Sequence, residues 1–247
     1  MTDRARLDQT LVERAAFPSR ARAQAAVKAG LVRVDGAPAG KPSMMVARTA
    51  KIEIAGDAHD FVSRGGVKLE RALEAFGFDP EGCVCLDLGA STGGFTEILL
   101  RAGAAKIYAV DVGTGQLHPS LCNHPRIVNL ERTHAKDLSR ARIPEEIDFI
   151  VCDVSFISLE KALPFAMALA ARGARLVALV KPQFELGPGK IGKGGLVKAS
   201  EAELSSLTDS ISQWMKEMNW SPAGVIESPI RGGDGNREYL IGAIKPA

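Results

Sequence analysis

The chain has 247 residues, 46% of them apolar and 24% charged, with a formal net charge of +2. These proportions are those of a folded globular protein and exclude a disordered or low-complexity chain. They leave room for one large domain or a small one beside a medium one. No apolar run approaches the roughly 18 residues needed to cross a bilayer, and no apolar leader opens the sequence, so the cytoplasm is the expected compartment.

The charge is unevenly placed. Residues 1–51 hold ten Lys/Arg against four acids, and the rest of the chain is net acidic. A basic amino-terminal module on a mildly acidic body predicts contact with a polyanion. The four cysteines, Cys83, Cys85, Cys122 and Cys152, lack zinc or redox spacing and have no paired histidines beside them, so buried reduced thiols and no metal are expected.

In chain order, residues 5–16 set Leu7, Leu11, Val12 and Ala15 on one helical face, and Phe17-Pro18 ends that helix. Ser19 is placed to cap a second helix striped by Ala23, Ala26 and Val27, which Gly30 stops. Leu31 to Val34 reads as a strand entering the tight turn Asp35-Gly36, and residues 51–54 alternate as another strand. Residues 55–60 are small and polar, as in a linker. A helical pattern follows Lys68 (Leu69, Ala72, Leu73, Phe76) and ends at Gly77. From Cys83 onward strands are predicted near 83–88, 106–111, 126–130, 147–152, 175–181, 221–227 and 238–244. Helices between them are clearest at 93–102, 158–171 and 200–217. This alternation predicts an α/β fold, a mostly parallel sheet with helices on both faces.

The chemistry centres on residues 83–95, where an apolar strand runs into Gly89-Ala-Ser-Thr-Gly-Gly94 and then a helix. Backbone can approach a ligand closely at such a turn. Gly89 to Gly93 also fits G-x-S-x-G, but a hydrolase of that kind needs a histidine late in the chain, and after Ser91 only His118, His124 and His134 are available, with none in the last 113 residues. Ser91 stands where a dinucleotide fingerprint needs its second glycine. Residues 187–193 fit G-x-x-x-x-G-K, but Gly194 replaces the Ser/Thr that would hold magnesium.

Asp87 to Gly94 reads D-x-G-x-x-x-G-G and resembles the first motif of Rossmann-like methyltransferases, whose cofactor is S-adenosyl-L-methionine. The resemblance assigns Asp87, Gly89, Ala90, Ser91, Thr92, Gly93 and Gly94 to that cofactor. Asp111, about twenty residues on at a strand end, is placed to bind ribose hydroxyls. The segment 133–137 lies where such enzymes contact adenine, and Asp137 is carried over with it.

Asp153 and Lys181 each follow an apolar strand, so both are expected to face the crevice beyond the strand ends. Glu238 precedes the last strand and reaches the same edge if that strand is antiparallel. Lys68 precedes the first strand and can cover the pocket. Lys68, Asp153, Lys181 and Glu238 together resemble the K-D-K-E tetrad of FtsJ-like ribose 2′-O-methyltransferases. The segments around Arg6, Ser19 and Lys28 resemble an S4-type RNA-binding domain, which implies Arg6, Arg20, Arg22, Lys28 and Arg33 as RNA contacts. Lys190 and Lys193, in a glycine-rich loop, are further candidates for phosphate contact, with the loop as a lid.

With these motifs in order along the chain, the sequence resembles the TlyA (hemolysin A) family. The family implies an S4-like domain over 1–59, a linker over 60–64 and a methyltransferase domain over 65–247. It also implies ribose methylation, of cytidine, in ribosomal RNA or a ribosomal subunit. Lys181 is expected as general base, with Lys68 and Asp153 positioning the hydroxyl and Glu238 orienting a lysine. The alternatives are a non-catalytic ribosome-assembly factor, which would not bind the cofactor, methylation of a small molecule, and membrane lysis, for which a spanning segment or long basic amphipathic helix is missing.

Overall fold

The computed structural model describes residues 4–14, 16–17, 20–28, 30–54 and 62–247, without the side chains of Ala21, Arg22, Ala25 and Lys193. The expected Ser19 cap, the contribution of Ala15, the stop at Pro18 and the linker at 55–60 therefore lie outside the described residues. The chain divides into two compact units, residues 1–60 and 61–247.

The first unit contains β1 (Arg4–Arg6), α1 (Leu7–Glu13), α2 (Arg20–Lys28), β2 (Val32–Val34), β3 (Ala37–Pro38), β4 (Met45–Ala47) and β5 (Ile52–Ile54). The helix expected from residue 5 starts at Leu7, because Arg4–Arg6 is extended and pairs antiparallel with β4. Strands β3, β2 and β5 form a small sheet, closed by the Asp35-Gly36 turn in left-handed conformation at both residues. Leu7, Leu11, Ala23, Val27, Val32, Val34 and Val46 meet in its core.

The second unit begins with α3 (Gly65–Phe76), β6 (Val84–Leu88), α4 (Gly94–Arg101), β7 (Lys106–Val110), α5 (Pro119–Cys122) and β8 (Ile127–Leu130). It continues with β9 (Ile147–Cys152), α6 (Leu159–Met167), β10 (Ala170–Val180), α7 (Pro182–Glu185), α8 (Glu201–Glu217), β11 (Ser221–Glu227) and β12 (Tyr239–Ile244). Its seven strands lie in the order β11-β12-β10-β9-β6-β7-β8. The pairs from β10 to β8 are parallel, and β12 runs antiparallel between β10 and β11. The helix expected over 158–171 ends at Met167, and β10 starts five residues earlier than expected, at Ala170. The apolar run there fits either period, and the sheet decides it.

Apolar clusters cover both sheet faces. Leu86, Ile150, Leu176 and Ile241 belong to one, and Cys85, Ile107, Phe149 and Leu179 to the other. This is the burial that a parallel sheet requires. All four cysteines are free thiols. Burial pushes Cys152 up to about 12, leaving it inert. Cys122 ends α5, and Cys83 precedes its strand. Among the described residues no helix is long and apolar enough to cross a membrane, and no His/Cys/Asp/Glu group could hold a metal ion.

Candidate active site

β6 ends in a turn whose geometry its small residues make possible. Gly89 has φ 87° and its backbone N–H donates to Val110 O at 2.9 Å, as Ala90 N does at 3.0 Å. A Cβ on Gly89 would stand 2.8 Å from the Asp153 carbonyl oxygen, and one on Gly94 would stand 2.1 Å from Ser63 Oγ. The glycines thus let the β9 loop and the start of α3 close against the turn. Ser91, with φ 47°, is a turn residue, held by donating its N–H to Asp111 Oδ2 at 2.8 Å.

Beneath the turn, Asp87 is fully buried. Thr96 Oγ1 donates to its Oδ2 at 2.6 Å, and Oδ1 has no partner among the described residues. Burial, reinforced by Asp153 and Asp111, pushes this carboxyl up to about 7.

A pocket of about 310 Å³ opens above the turn. Its lining includes Gly89 to Thr92, Lys68, Asp153, Ser155 and Lys181. Lys68 Nζ meets Glu238 Oε2 at 2.6 Å, and Lys181 Nζ lies 2.6 Å from Asp153 Oδ1 while donating to Ser155 Oγ at 2.9 Å. The tetrad is therefore two lysine–carboxylate pairs, with Glu238 on Lys68 and Asp153 on Lys181. The antiparallel β12 brings Glu238 to this edge, as the sequence required. Glu238 is 3% exposed and Lys68 8%.

Other predicted positions fall differently. Asp111 accepts backbone N–H groups with both oxygens, from Ser91 and, at 2.7 Å, from Gly113, so it stitches two loops together. Asp137 is exposed on a short 3-10 turn (Ala135–Asp137) capped by His134, and is not among the pocket-lining residues. Lys190 is ion-paired with Glu203. The loop that carries it is bridged between Ile191 and Val197, and Asn236 binds it by accepting from Val197 N and donating to Gly195 O, both at 2.9 Å. It is a fastened loop rather than a free connection. In the first unit Arg6 and Arg20 pair with Asp8, Arg33 donates to Gly36 O at 3.0 and 2.6 Å, and Lys28 is exposed. The side chains of Arg22 and Lys193 lie outside the described residues.

Sequence reasoning missed Phe156. It is 90% exposed, holds φ 66°, and its ring centroid lies 5.0 Å from that of Phe184. Its neighbour Ser155 lines the pocket. An exposed aromatic in a conformation L residues avoid is a strained feature, of the kind that gathers at functional sites. The available signal was the run Ser155-Phe-Ile-Ser158, one residue beyond Asp153.

The seven-stranded sheet with one inserted antiparallel strand, the glycine turn and the pocket at the strand ends define a Rossmann-like methyltransferase fold. The model of the FtsJ-like methyltransferases matches residues 61–245, and that of the S4 domain residues 5–52. The chain belongs to the FtsJ-like methyltransferase family, and specifically to its members that carry an S4 domain, the TlyA or hemolysin A group. It is 46% identical to the 16S/23S rRNA (cytidine-2′-O)-methyltransferase TlyA of Mycobacterium tuberculosis, over 98% of this chain and 90% of that protein. Hemolysin A of Brachyspira hyodysenteriae is 39% identical over 95% of this chain and 98% of its own length. A solved hemolysin-class structure from Streptococcus thermophilus superposes with a TM-score of 0.78 at 35% identity, covering 100% of this chain and 90% of that one.

Proposed function

We propose that the chain methylates the 2′-hydroxyl of a ribose, that of a cytidine, in ribosomal RNA. The observation that carries this reading is the pair of lysine–carboxylate contacts facing one pocket beside the glycine turn. The names of the relatives at 46% and 40% identity, both rRNA (cytidine-2′-O)-methyltransferases, support it.

The residues fit S-adenosyl-L-methionine. The glycine turn offers close backbone, the orphan Asp87 Oδ1 suits an ammonium group, and Asp111 keeps a second lone pair on each oxygen for ribose hydroxyls. Bound there, the cofactor supplies an electrophilic methyl group on a sulfonium. The protein's own work is to place the hydroxyl and remove its proton. A ribose hydroxyl is a poor nucleophile whose proton becomes acidic only as the new O–C bond forms, so a positioned base is needed at that moment. Lys181 receives the proton. Asp153 Oδ1 at 2.6 Å and Ser155 Oγ at 2.9 Å hold the Lys181 Nζ at the pocket wall, within reach of a hydroxyl bound there. Once protonated, Lys181 is held again by Asp153. Lys68, kept in place by Glu238, and Asp153 align the hydroxyl, and alignment supplies much of the rate. Phe156 with Phe184 offers a face on which the target base can stack.

The test is incubation with labelled cofactor and each purified ribosomal subunit, followed by mapping of the label. Label on a ribose oxygen of ribosomal RNA is expected, and label on a base overturns the chemistry. Lys181→Ala should keep cofactor binding and lose roughly 10²–10⁴-fold in transfer. Near-normal turnover would remove Lys181 as the base.

A further inference from the structure

Asp8 is fully buried in the first unit, and among the described residues its carboxylate is met by three donating side chains. Arg6 grips it with Nε on Oδ1 and Nη2 on Oδ2, both at 3.0 Å. Arg20 Nη2 donates to Oδ2 at 3.0 Å, and Gln24 Nε2 to the same oxygen at 2.7 Å. Arg6 comes from β1, Asp8 from α1, and Arg20 and Gln24 from α2. The side chains of both arginines stay partly open to solvent, at 40% and 50%.

A carboxylate so placed does two opposing things. It cancels one of the two positive charges, which weakens long-range attraction to a polyanion. It also fixes two planar guanidinium groups against one another. A guanidinium has five N–H donors. Arg6 spends two on Asp8 and Arg20 one, so among the described residues the two side chains keep further donors, on groups that Asp8 holds in place and that stay partly open to solvent. Planar donor forks recognise phosphate by geometry as well as charge. Freezing two long side chains beforehand removes the rotamer entropy that binding would otherwise cost. The Arg6 contact, then burial opposing it, then Gln24 and Arg20 hold the Asp8 carboxyl well below the usual carboxylate range, so the lock stays closed at neutral pH.

We infer that Asp8 is a positioning residue that sets Arg6 and Arg20 as one preformed phosphate-binding fork. This rests on the RNA-binding reading of the first unit. Asp8→Asn makes the whole chain one unit more positive. If bulk charge governs RNA binding, the variant binds ribosomal subunits more tightly. If the fork governs it, the variant binds more weakly, by about tenfold at fixed salt, the loss expected for one well-formed charge-assisted contact set.

The experiment titrates the full-length chain and its variants against each purified ribosomal subunit, with melting curves alongside. Asp8→Asn is also made in an Arg6→Ala/Arg20→Ala background, where a residue acting only through those arginines has no further effect. Weaker binding in the wild-type background and none of that loss in the double-alanine background supports the inference. Equal or tighter binding by Asp8→Asn, or an additive loss, overturns it. Should Asp8→Asn unfold, Asp8→Glu keeps the charge and displaces the fork by one methylene; wild-type affinity there overturns the inference. If the wild-type chain binds neither subunit, the RNA reading itself falls, and the inference with it.

Discussion

Glu238→Gln is expected to destabilise the second unit by leaving Lys68 buried without its anion. The contact is 2.6 Å long, with Glu238 3% and Lys68 10% exposed at their side chains. Removing one member of a buried pair costs about 3–5 kcal/mol, because the remaining charge is stranded. Lys68 also lines the open pocket, where water reaches its ammonium, so the lower end, about 3 kcal/mol, applies. For a unit spanning residues 61–247 this corresponds to a melting temperature lower by roughly 6–12 °C. Lys68→Met added to Glu238→Gln removes the stranded cation and should recover at least half of that loss. Both variants should be inactive in methyl transfer to ribosomal subunits. Calorimetry and a labelled-methyl assay on the same preparations provide the two readouts. A single variant melting within about 1 °C of wild type, or a double variant no more stable than the single, refutes the claim that Glu238 compensates Lys68.

Asp87 supplies a pH test. Its carboxyl rises from an ordinary value of 3.8 to about 7 on folding, so folding favours the protonated form. That stability is fully present below about pH 4 and is lost as pH rises through about 7. Relative to Asp87→Asn, which never ionises, the wild type should therefore melt progressively lower between pH 5 and pH 8, with a ceiling of roughly 4 kcal/mol. A pH-independent difference in melting temperature contradicts the assignment. Phe156→Gly should melt no lower than wild type, since glycine relieves the positive φ. It should nonetheless lose between about fivefold and 150-fold in kcat/KM for the RNA, the worth of one base–aromatic stack. Unchanged RNA kinetics would exclude the stacking role.

The strands of the second unit were readable because each is an apolar run that ends in a turn or a charged residue. Asp153 and Lys181 announce themselves as polar residues directly after β9 and β10. Which carboxylate serves which lysine was not readable: Lys68 and Glu238 are 170 residues apart, and only the pairing of β12 with β10 brings them together. The strand Arg4–Arg6 escaped because three residues carry no period of their own and merge with the helical spacing behind them. Phe156 escaped because burial patterns pick out hidden apolar residues, and its ring is exposed. Asp137 was located by analogy, and loops follow no pattern that a neighbouring strand can fix. The pairing of Lys190 was not legible because its partner Glu203 stands in the first turn of α8, beyond an intervening loop.

The last strand enters the middle of the sheet. Because β12 sits between β10 and β11, a nascent chain that has not yet emerged past residue 237 has β11 without its neighbour and Lys68 without its counterion. Lys68 therefore gains its anion only after β12 has been inserted between β10 and β11.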